Sequence, residues 1–242
     1  MGIRWGGPQS SPALHYRNPM PAAEFLVVED PWVNWDWLST HIPLVLAALQ
    51  DHVTLTVVAV LVGLAIALPL GVAAHRWHVL RNPLLTLFGI LYTIPSIALF
   101  ALLVPYTGLT FATAEIGLIS YTLLILARNV VVGLEAVPPD VLDAADGMGY
   151  RPLARLIRIE LPLALPAIMA GIRVATVTTI GLVTITAVIG EGGLGQLILK
   201  GLIESFHTPL VVATVLSVLL ALVADVGLAG VQRLAVPWSR QP

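Results

Sequence analysis

The chain has 242 residues, of which 57% are hydrophobic and only 11% are charged, and its mean hydropathy of +0.91 is too high for a soluble domain of this length. The formal net charge of -2 leaves no basic surface that could neutralise phosphates, which argues against nucleic-acid binding. Cysteine is absent, which excludes disulfides, thiolate metal sites and cysteine nucleophiles. The composition therefore predicts an all-α protein that crosses a lipid bilayer several times.

Five apolar stretches are long enough to cross the hydrocarbon core, which requires about 20 residues of helix. They cover residues 53–74, 84–104, 112–133, 163–189 and 209–231. Seven arginines lie in the 75–83 loop, the 134–162 loop and the C-terminal tail. The N-terminal segment and the remaining loops together hold three Arg or Lys residues. Because positively charged loops are retained in the cytoplasm, we predict an outside N-terminus and a cytoplasmic C-terminus in the cell membrane.

These spans divide the chain into three parts. Residues 1–50 are rich in Pro, Gly and Trp, and we predict that they form an irregular extracytoplasmic leader. Residues 51–232 form the predicted transmembrane domain, which includes a long cytoplasmic loop at 134–162. Residues 233–242 are a short predicted cytoplasmic tail.

The 134–162 loop is the longest connection between the predicted spans and has a pattern of its own. Pro138 and Pro139 can start a helix, with Asp140 as its cap or as a favourable negative charge in its first turn. Gly149 is expected to end this helix, because glycine adopts backbone conformations that other residues avoid. Three arginines then recur at i, i+4 and i+7 on one face of a predicted second helix: Arg151, Arg155 and Arg158. The pattern predicts a helix–turn–helix at the membrane surface.

The same loop resembles the EAA signature of permeases from ATP-binding-cassette (ABC) importers. The matching residues are Asp143, Ala144 and Ala145, then Gly149 after three residues, then Ile159, Leu161 and Pro162 after nine. Asp143 stands where that family usually has Glu. The resemblance implies the type I ABC importer permease fold with about five transmembrane helices, and a coupling helix that docks in a groove of a separate ATP-binding subunit.

Two further stretches are similar to permeases for glycine betaine, carnitine, choline and related osmoprotectants. One is the segment 92–99 in the second span, and the other is the glycine-rich turn 189–195, where Glu191 replaces a more usual small residue. Pro95 also predicts a kink in the second span, because proline removes a backbone donor. We treat as pathway or gate candidates the following residues: Tyr92, Thr93, Pro95, Ser96, Gly190, Gly192, Gly193 and Gly195.

Two charged residues lie inside predicted spans at comparable depth. Arg173 belongs to the fourth span and Asp225 to the fifth. Ionisable groups inside a membrane are costly and usually face a partner or a water-filled path. We predict that Arg173 and Asp225 form an ion pair or join a shared network near the inner side of the membrane, in a structural role and not in contact with the solute.

The resemblance also implies the partners of this chain. These are an ATP-binding subunit that carries ATP and Mg, an extracytoplasmic solute-binding protein and a second permease chain, identical or homologous. The chain itself is expected to hold no catalytic residue, cofactor or metal. Its only lysine, Lys200, is not in a Gly-Lys-Ser/Thr motif, and the G-x-G-x-x-G match at 190–195 follows an apolar helix and not a strand.

Three alternatives remain at this point. The nearest is a permease of the same plan for another small solute such as methionine. A different class is an ion-coupled secondary transporter that uses Arg173 and Asp225 as a relay. An integral-membrane enzyme is less favoured, because no cluster of His, Glu and Asp or nucleophile constellation is visible in the sequence.

Overall fold

The computed structural model describes residues 31–236, and all its regular elements in that range are helices. The α-helices are α1 Trp35–Thr40, α2 Ile42–Arg76, α3 His78–Thr93, α4 Ser96–Thr107, α5 Phe111–Glu135, α6 Pro139–Gly147, α7 Pro152–Arg155, α8 Leu161–Val183, α9 Leu194–Ile203 and α10 His207–Ala235. A π turn, Leu156–Glu160, joins α7 to α8, and a 3₁₀ turn, Ile185–Ile189, follows α8. The predicted all-α fold is confirmed for this range.

Four helical segments are long and apolar enough to cross a bilayer singly, and a broken pair of helices brings the count to as many as five. The single segments are α2, α5, α10 and the continuous rod Pro152–Val183. The broken pair is α3 and α4, which meet at an angle of 95°. The predicted kink is therefore at the right place, but the prediction of one kinked helix over 84–104 is wrong. Ile94 is extended (φ -64°, ψ 128°), as steric conflict with a following proline favours.

The helical region begins earlier than predicted. α1 starts at Trp35 and α2 at Ile42, so the irregular leader does not extend to residue 50. The exposed polar residues Gln50 and Asp51 interrupt the apolar run inside α2, which placed the predicted start of the first span too late. The predictions for residues 1–30 and 237–242 lie outside the described residues.

Glycines allow α2 and α5 to pack closely at the centre of the molecule. Gly63 lies against Thr122, and a Cβ atom at Gly71 would lie 2.7 Å from Cγ1 of Val130. The contact partner of Gly71 on α5 lies eight residues after the partner of Gly63, and Gly71 itself lies eight residues after Gly63. The two helices α2 and α5 therefore run parallel. Small residues at such contacts are typical of membrane helices, which associate through close van der Waals packing.

One end of the helix bundle, which we call the arginine-rich end, holds the α2–α3 turn, the segment from α5 to α8 and the end of α10. Arg81 on α3 donates to Glu135 at the end of α5 across 3.1 Å (Nη2 to Oε2). The Gln232 side chain on α10 donates to the Pro166 carbonyl near the start of α8 at 3.4 Å. The arginines in these segments are Arg76, Arg81, Arg151, Arg155, Arg158 and Arg233.

The opposite end, which we call the glycine-loop end, holds the start of α2, the α4–α5 turn and the connection from α8 to α10. The Asn34 N–H donates to the Thr208 hydroxyl at 2.7 Å and fixes the chain before α1. The connection from α8 to α10 contains helix α9, which was not predicted. Among the described residues this end holds a single Lys or Arg side chain, Lys200. The Lys and Arg side chains of the described residues are therefore distributed very unequally between the two ends.

Candidate functional site

Helix α6 carries the first half of the sequence signature. Pro138 has an extended backbone and precedes the first turn, where Asp140 adds its negative charge without a side-chain capping bond. α6 ends at Gly147, and Gly149 then adopts φ +77°. This conformation favours glycine over residues with a Cβ atom, and it lets the chain turn sharply after the helix.

The two sides of α6 differ in exposure. Ala145 is completely buried against the rest of the protein. Asp143 and Ala144 are exposed, and Met148 is 68% exposed. Apart from the backbone of α6 itself and its chain neighbours, nothing lies within 4 Å of the position that a Cβ at Gly147 would occupy. We call Asp143, Ala144, Gly147 and Met148 the exposed α6 face. This face carries one carboxylate, that of Asp143, and three small or apolar residues.

The second arm of the loop differs from the predicted amphipathic helix. It consists of α7 and a π turn that leads without a break into α8. Arg151 and Arg158 are exposed, whereas the Arg155 side chain is only 16% exposed and binds two carboxylates. The prediction that the three arginines share one face is therefore wrong, because the π turn changes the helical period.

The second half of the signature lies where the π turn meets α8. Ile159, Leu161 and Pro162 are all partly buried there. Leu161 packs against the cluster that contains Val130 and Leu134 of α5. These residues therefore attach the loop to the helix bundle and leave the exposed α6 face as the part of the motif that is free to contact a partner.

The break between α3 and α4 exposes backbone groups that side chains satisfy. The Tyr121 hydroxyl of α5 donates to the Ile94 carbonyl, and the Thr93 hydroxyl donates to the Ile90 carbonyl at 2.8 Å. The Tyr92 ring meets the Tyr121 ring edge-on, with centroids 5.8 Å apart. Of the candidate residues here, Tyr92, Thr93 and Pro95 are exposed and Ser96 is half-buried.

The glycine-rich turn, whose glycines are gate candidates, is tightly packed at three of its four glycines. Gly192 has φ +123°, and a Cβ there would lie 2.6 Å from the Ala187 nitrogen. Gly193 has φ +50°, and its Cβ would lie 2.5 Å from the His52 nitrogen of α2. A Cβ at Gly195 would lie 2.5 Å from a backbone oxygen of the 3₁₀ region. Gly190, in contrast, is exposed and has open space around its Cβ position.

A buried histidine of α2 supports this turn and was not singled out from the sequence. His52 is completely buried, and its Nε2 lies 3.0 Å from the Ile180 carbonyl of α8. Its main chain contacts Gly193. An isolated histidine in an apolar run gives no sequence signal, because its hydrogen-bond partner is 128 residues away.

Arg173 and Asp225 lie side by side on α8 and α10. Nε and Nη2 of Arg173 each donate to a different Asp225 oxygen at 2.9 Å, which makes the pair bidentate. The two side chains are 31% and 37% exposed, and they border a cleft of about 430 Å³. Partly exposed charges at this depth require water or protein as their neighbour, since lipid chains solvate them poorly. The cleft between α8 and α10 therefore does not face acyl chains alone.

Residues 59–235 match the family described as binding-protein-dependent transport system inner membrane component. The chain belongs to this family. It is thus a multi-pass membrane permease, and the family is one of transport proteins and not of ATPases.

Two curated relatives of the permease cover most of its length. It is 35% identical over 193 residues to the choline transport system permease protein OpuBB of Bacillus subtilis (strain 168), which covers 79% of this chain and 88% of the relative. It is 40% identical over 182 residues to the osmoprotectant import permease protein OsmW of Salmonella typhimurium (strain LT2), with coverage of 72% and 84%.

A solved structure supports the fold. The inward-facing MetNI methionine ABC transporter superimposes with a TM-score of 0.70 at 21% identity, over 81% of this chain and 98% of that chain. At this identity the likeness concerns the fold alone. The predicted type I ABC importer permease fold is confirmed.

Proposed function

We propose that this permease is the membrane subunit of an ATP-driven importer for osmoprotectants such as glycine betaine, carnitine, choline or a similar quaternary amine. The observation that carries the coupling part of this proposal is the exposed α6 face, which presents Asp143 and Ala144 on a helix anchored by Ala145. The substrate part rests on the relatives, which are named for choline and osmoprotectant transport.

The distribution of charge supports an orientation. The arginine-rich end would face the cytoplasm, because positively charged segments are retained on that side. The exposed α6 face would then meet the ATP-binding subunit, which would carry ATP and Mg. The N-terminus and the glycine-loop end would lie outside, where an extracytoplasmic solute-binding protein would deliver the solute.

The transport cycle would use these contacts mechanically. Closure of two ATP-binding subunits would displace α6, the attached helices would rock, and the pathway would open alternately to each side. A second permease chain, identical or homologous, would complete the pathway. The partly exposed Arg173–Asp225 pair supports this, because a protein or aqueous neighbour is needed beside its cleft.

The broken span and the glycine turn would have different roles in this pathway. Tyr92, Thr93, Pro95 and Ser96 lie at a break where helix ends and exposed aromatic surface meet. Irregular backbone at membrane depth is tolerated where it is buried in protein or lines a cavity, which supports a position beside the solute path. Gly192, Gly193 and Gly195 would instead hold the outer end of the helices in register.

An ion-coupled secondary transporter remains the alternative from a different class. It would use Arg173 and Asp225 as a relay, but the two groups satisfy each other through two hydrogen bonds. A bidentate pair of this kind supports a structural role. A permease for another solute such as methionine is the alternative within the same class.

Exchange of the Arg173–Asp225 pair tests the structural role. Asp225→Asn leaves Arg173 without its partner at membrane depth, and we expect solute uptake to fall about tenfold. The double exchange R173D/D225R retains opposite charges and should restore uptake to about half of the wild-type rate or more. Uptake by proteoliposomes is the measurement. A double variant that is as inactive as R173D and D225R alone would contradict the pairing.

Competition for uptake tests the solute class. Proteoliposomes with the full transporter and its binding protein would take up radiolabelled choline or glycine betaine, with unlabelled glycine betaine, carnitine, choline and methionine as competitors. We expect the quaternary amines to compete and methionine to have no effect. Competition by methionine alone would reject the osmoprotectant assignment.

A further inference from the structure

The two arms of the coupling loop are joined by one arginine side chain. Nη1 of Arg155 donates to Asp146 of α6 at 2.6 Å, and its Nε donates to Glu160 at 2.8 Å. Asp146 belongs to the helix that carries the exposed α6 face, and Glu160 directly precedes α8. Arg155 therefore connects the free helix of the loop to the base of a membrane-spanning helix.

The π turn makes this connection possible. Residues five apart in an α-helix point about 140° away from each other. The π turn Leu156–Glu160 replaces i→i+4 bonds with i→i+5 bonds and so brings Glu160 round towards Arg155. A local departure from α-helical geometry thus coincides with the one ion-pair network that the described residues form within this loop.

The two contacts of Arg155 differ in their surroundings. The Glu160 side chain is only 7% exposed, so its charge needs a partner inside the protein. The Asp146 side chain is 55% exposed, and an ion pair of this kind stabilises weakly and reversibly. The inner contact therefore holds Arg155 to the base of α8, and the outer contact, although weaker, is the link between Arg155 and α6.

Besides the buried Ala145, which packs α6 against the protein, the turn between the arms affects how far α6 can move relative to α8. Gly149 adopts φ +77°, and apart from its two chain neighbours no residue comes within 4 Å of its Cβ position. A glycine without packed neighbours can act as a hinge, because no side chain restricts its rotation once the Gly149 N–H bond to the Asp146 carbonyl, at 2.9 Å, is broken. The Tyr150 N–H bond to the Ala145 carbonyl, at 3.2 Å, spans this turn but does not reach α8.

We propose that Arg155 is a positioning residue that makes α6 and the base of α8 move as one body, so that displacement of α6 by the ATP-binding subunit is transmitted into the membrane. We call the three side chains Asp146, Arg155 and Glu160 the loop clamp. This inference rests on the proposed function, since it assigns the path by which force leaves the coupling helix.

Uptake per ATP hydrolysed is the quantity that the loop clamp should control. Asp146→Asn weakens only the exposed contact, because the amide oxygen can still accept from Arg155, and we expect the ratio to fall about twofold. The double variant R155Q/E160Q removes both charges of the inner contact without leaving one buried and unpaired, and we expect a fall of about tenfold. The ATPase rate without binding protein should stay close to the wild-type rate in both variants.

Two further variants separate coupling from simple stability. Arg158→Gln, on an exposed arginine outside the clamp, should leave the ratio unchanged. Arg155→Lys keeps the positive charge but cannot donate to Asp146 and Glu160 from two separate nitrogens. We therefore expect its uptake per ATP to lie between those of the wild type and R155Q/E160Q. An unchanged ratio in R155Q/E160Q, with active transport, would overturn the proposal.

A distance measurement tests the clamp independently of transport. The chain has no cysteine, so spin labels can be placed at introduced cysteines on Met148 and Leu163, which are 68% and 37% exposed. In the purified full-length permease in nanodiscs, we expect a narrow distance distribution that R155Q/E160Q broadens. A distribution that stays narrow overturns the clamp even if ATP-driven uptake fails. Broadening together with absent ATP-driven uptake in the wild type would instead reject the proposed function.

Discussion

Replacement of Ala144 by arginine is expected to reduce ATP-driven uptake about 30-fold or more, since this is the effect of losing an interface contact worth 2 kcal/mol or above. Ala144 is exposed on α6, while its neighbour Ala145 is completely buried. An arginine at 144 therefore has room in the isolated chain. In the complex it would occupy the space that the groove of the ATP-binding subunit requires, and it would prevent docking.

Ala136→Arg is the matched control for this variant. Ala136 is also an exposed alanine at the arginine-rich end, with an αR backbone that accepts arginine, but it precedes α6. Ala144→Arg should lose co-purification of the ATP-binding subunit while its thermal stability matches that of Ala136→Arg. Retained co-purification and uptake in Ala144→Arg would contradict the docking role of the exposed α6 face.

Replacement of Gly193 by alanine is expected to destabilise the permease by about 3 kcal/mol or more. The new Cβ would lie 2.5 Å from the His52 nitrogen, and the backbone of α2 cannot move away without disturbing the helix. The residue also has φ +50°, a conformation that L side chains disfavour. Steric conflict and backbone strain therefore act together.

Gly190→Ala separates these two causes. Gly190 has φ +87° but open space around its Cβ position, so this variant has the backbone strain without the conflict. We expect it to lose only about 1–2 kcal/mol. Thermal unfolding of the purified variants in detergent gives the comparison. Equal melting temperatures for Gly193→Ala and Gly190→Ala would show that the turn is looser than its packing indicates.

Helix α6 and most spans could be predicted because their signals are local. Apolar length identifies α2, α5, α8 and α10, since the bilayer thickness sets the number of residues that a crossing needs. Pro138 and Gly149 bound a helix through their own backbone preferences. The place of the break at Pro95 follows from the same local chemistry.

The angle of the break and the stiffness of the glycine turn could not be predicted. Both depend on contacts far away in sequence: the Tyr121 hydroxyl on the Ile94 carbonyl, and α2 against Gly193. A missing Cβ permits either flexibility or close packing, and only the neighbours decide between them. The sequence therefore leaves open whether these glycines form a gate or a packed turn.

Arg155 shows a different limit of sequence analysis. Its place in the i, i+4, i+7 series predicted a solvent-facing arginine like Arg151 and Arg158. The π turn breaks that series and turns Arg155 towards Glu160. Periodicity assumes 3.6 residues per turn, so a local π turn is invisible to it.

The most direct test of the central claim is the energy source for uptake. The permease would be reconstituted with its ATP-binding subunit in proteoliposomes, with ATP inside and the solute-binding protein outside, and labelled choline or glycine betaine uptake would be followed. We predict uptake that requires both internal ATP and the binding protein and that persists when ion gradients are collapsed. Uptake driven by an ion gradient alone, without ATP, would contradict the account.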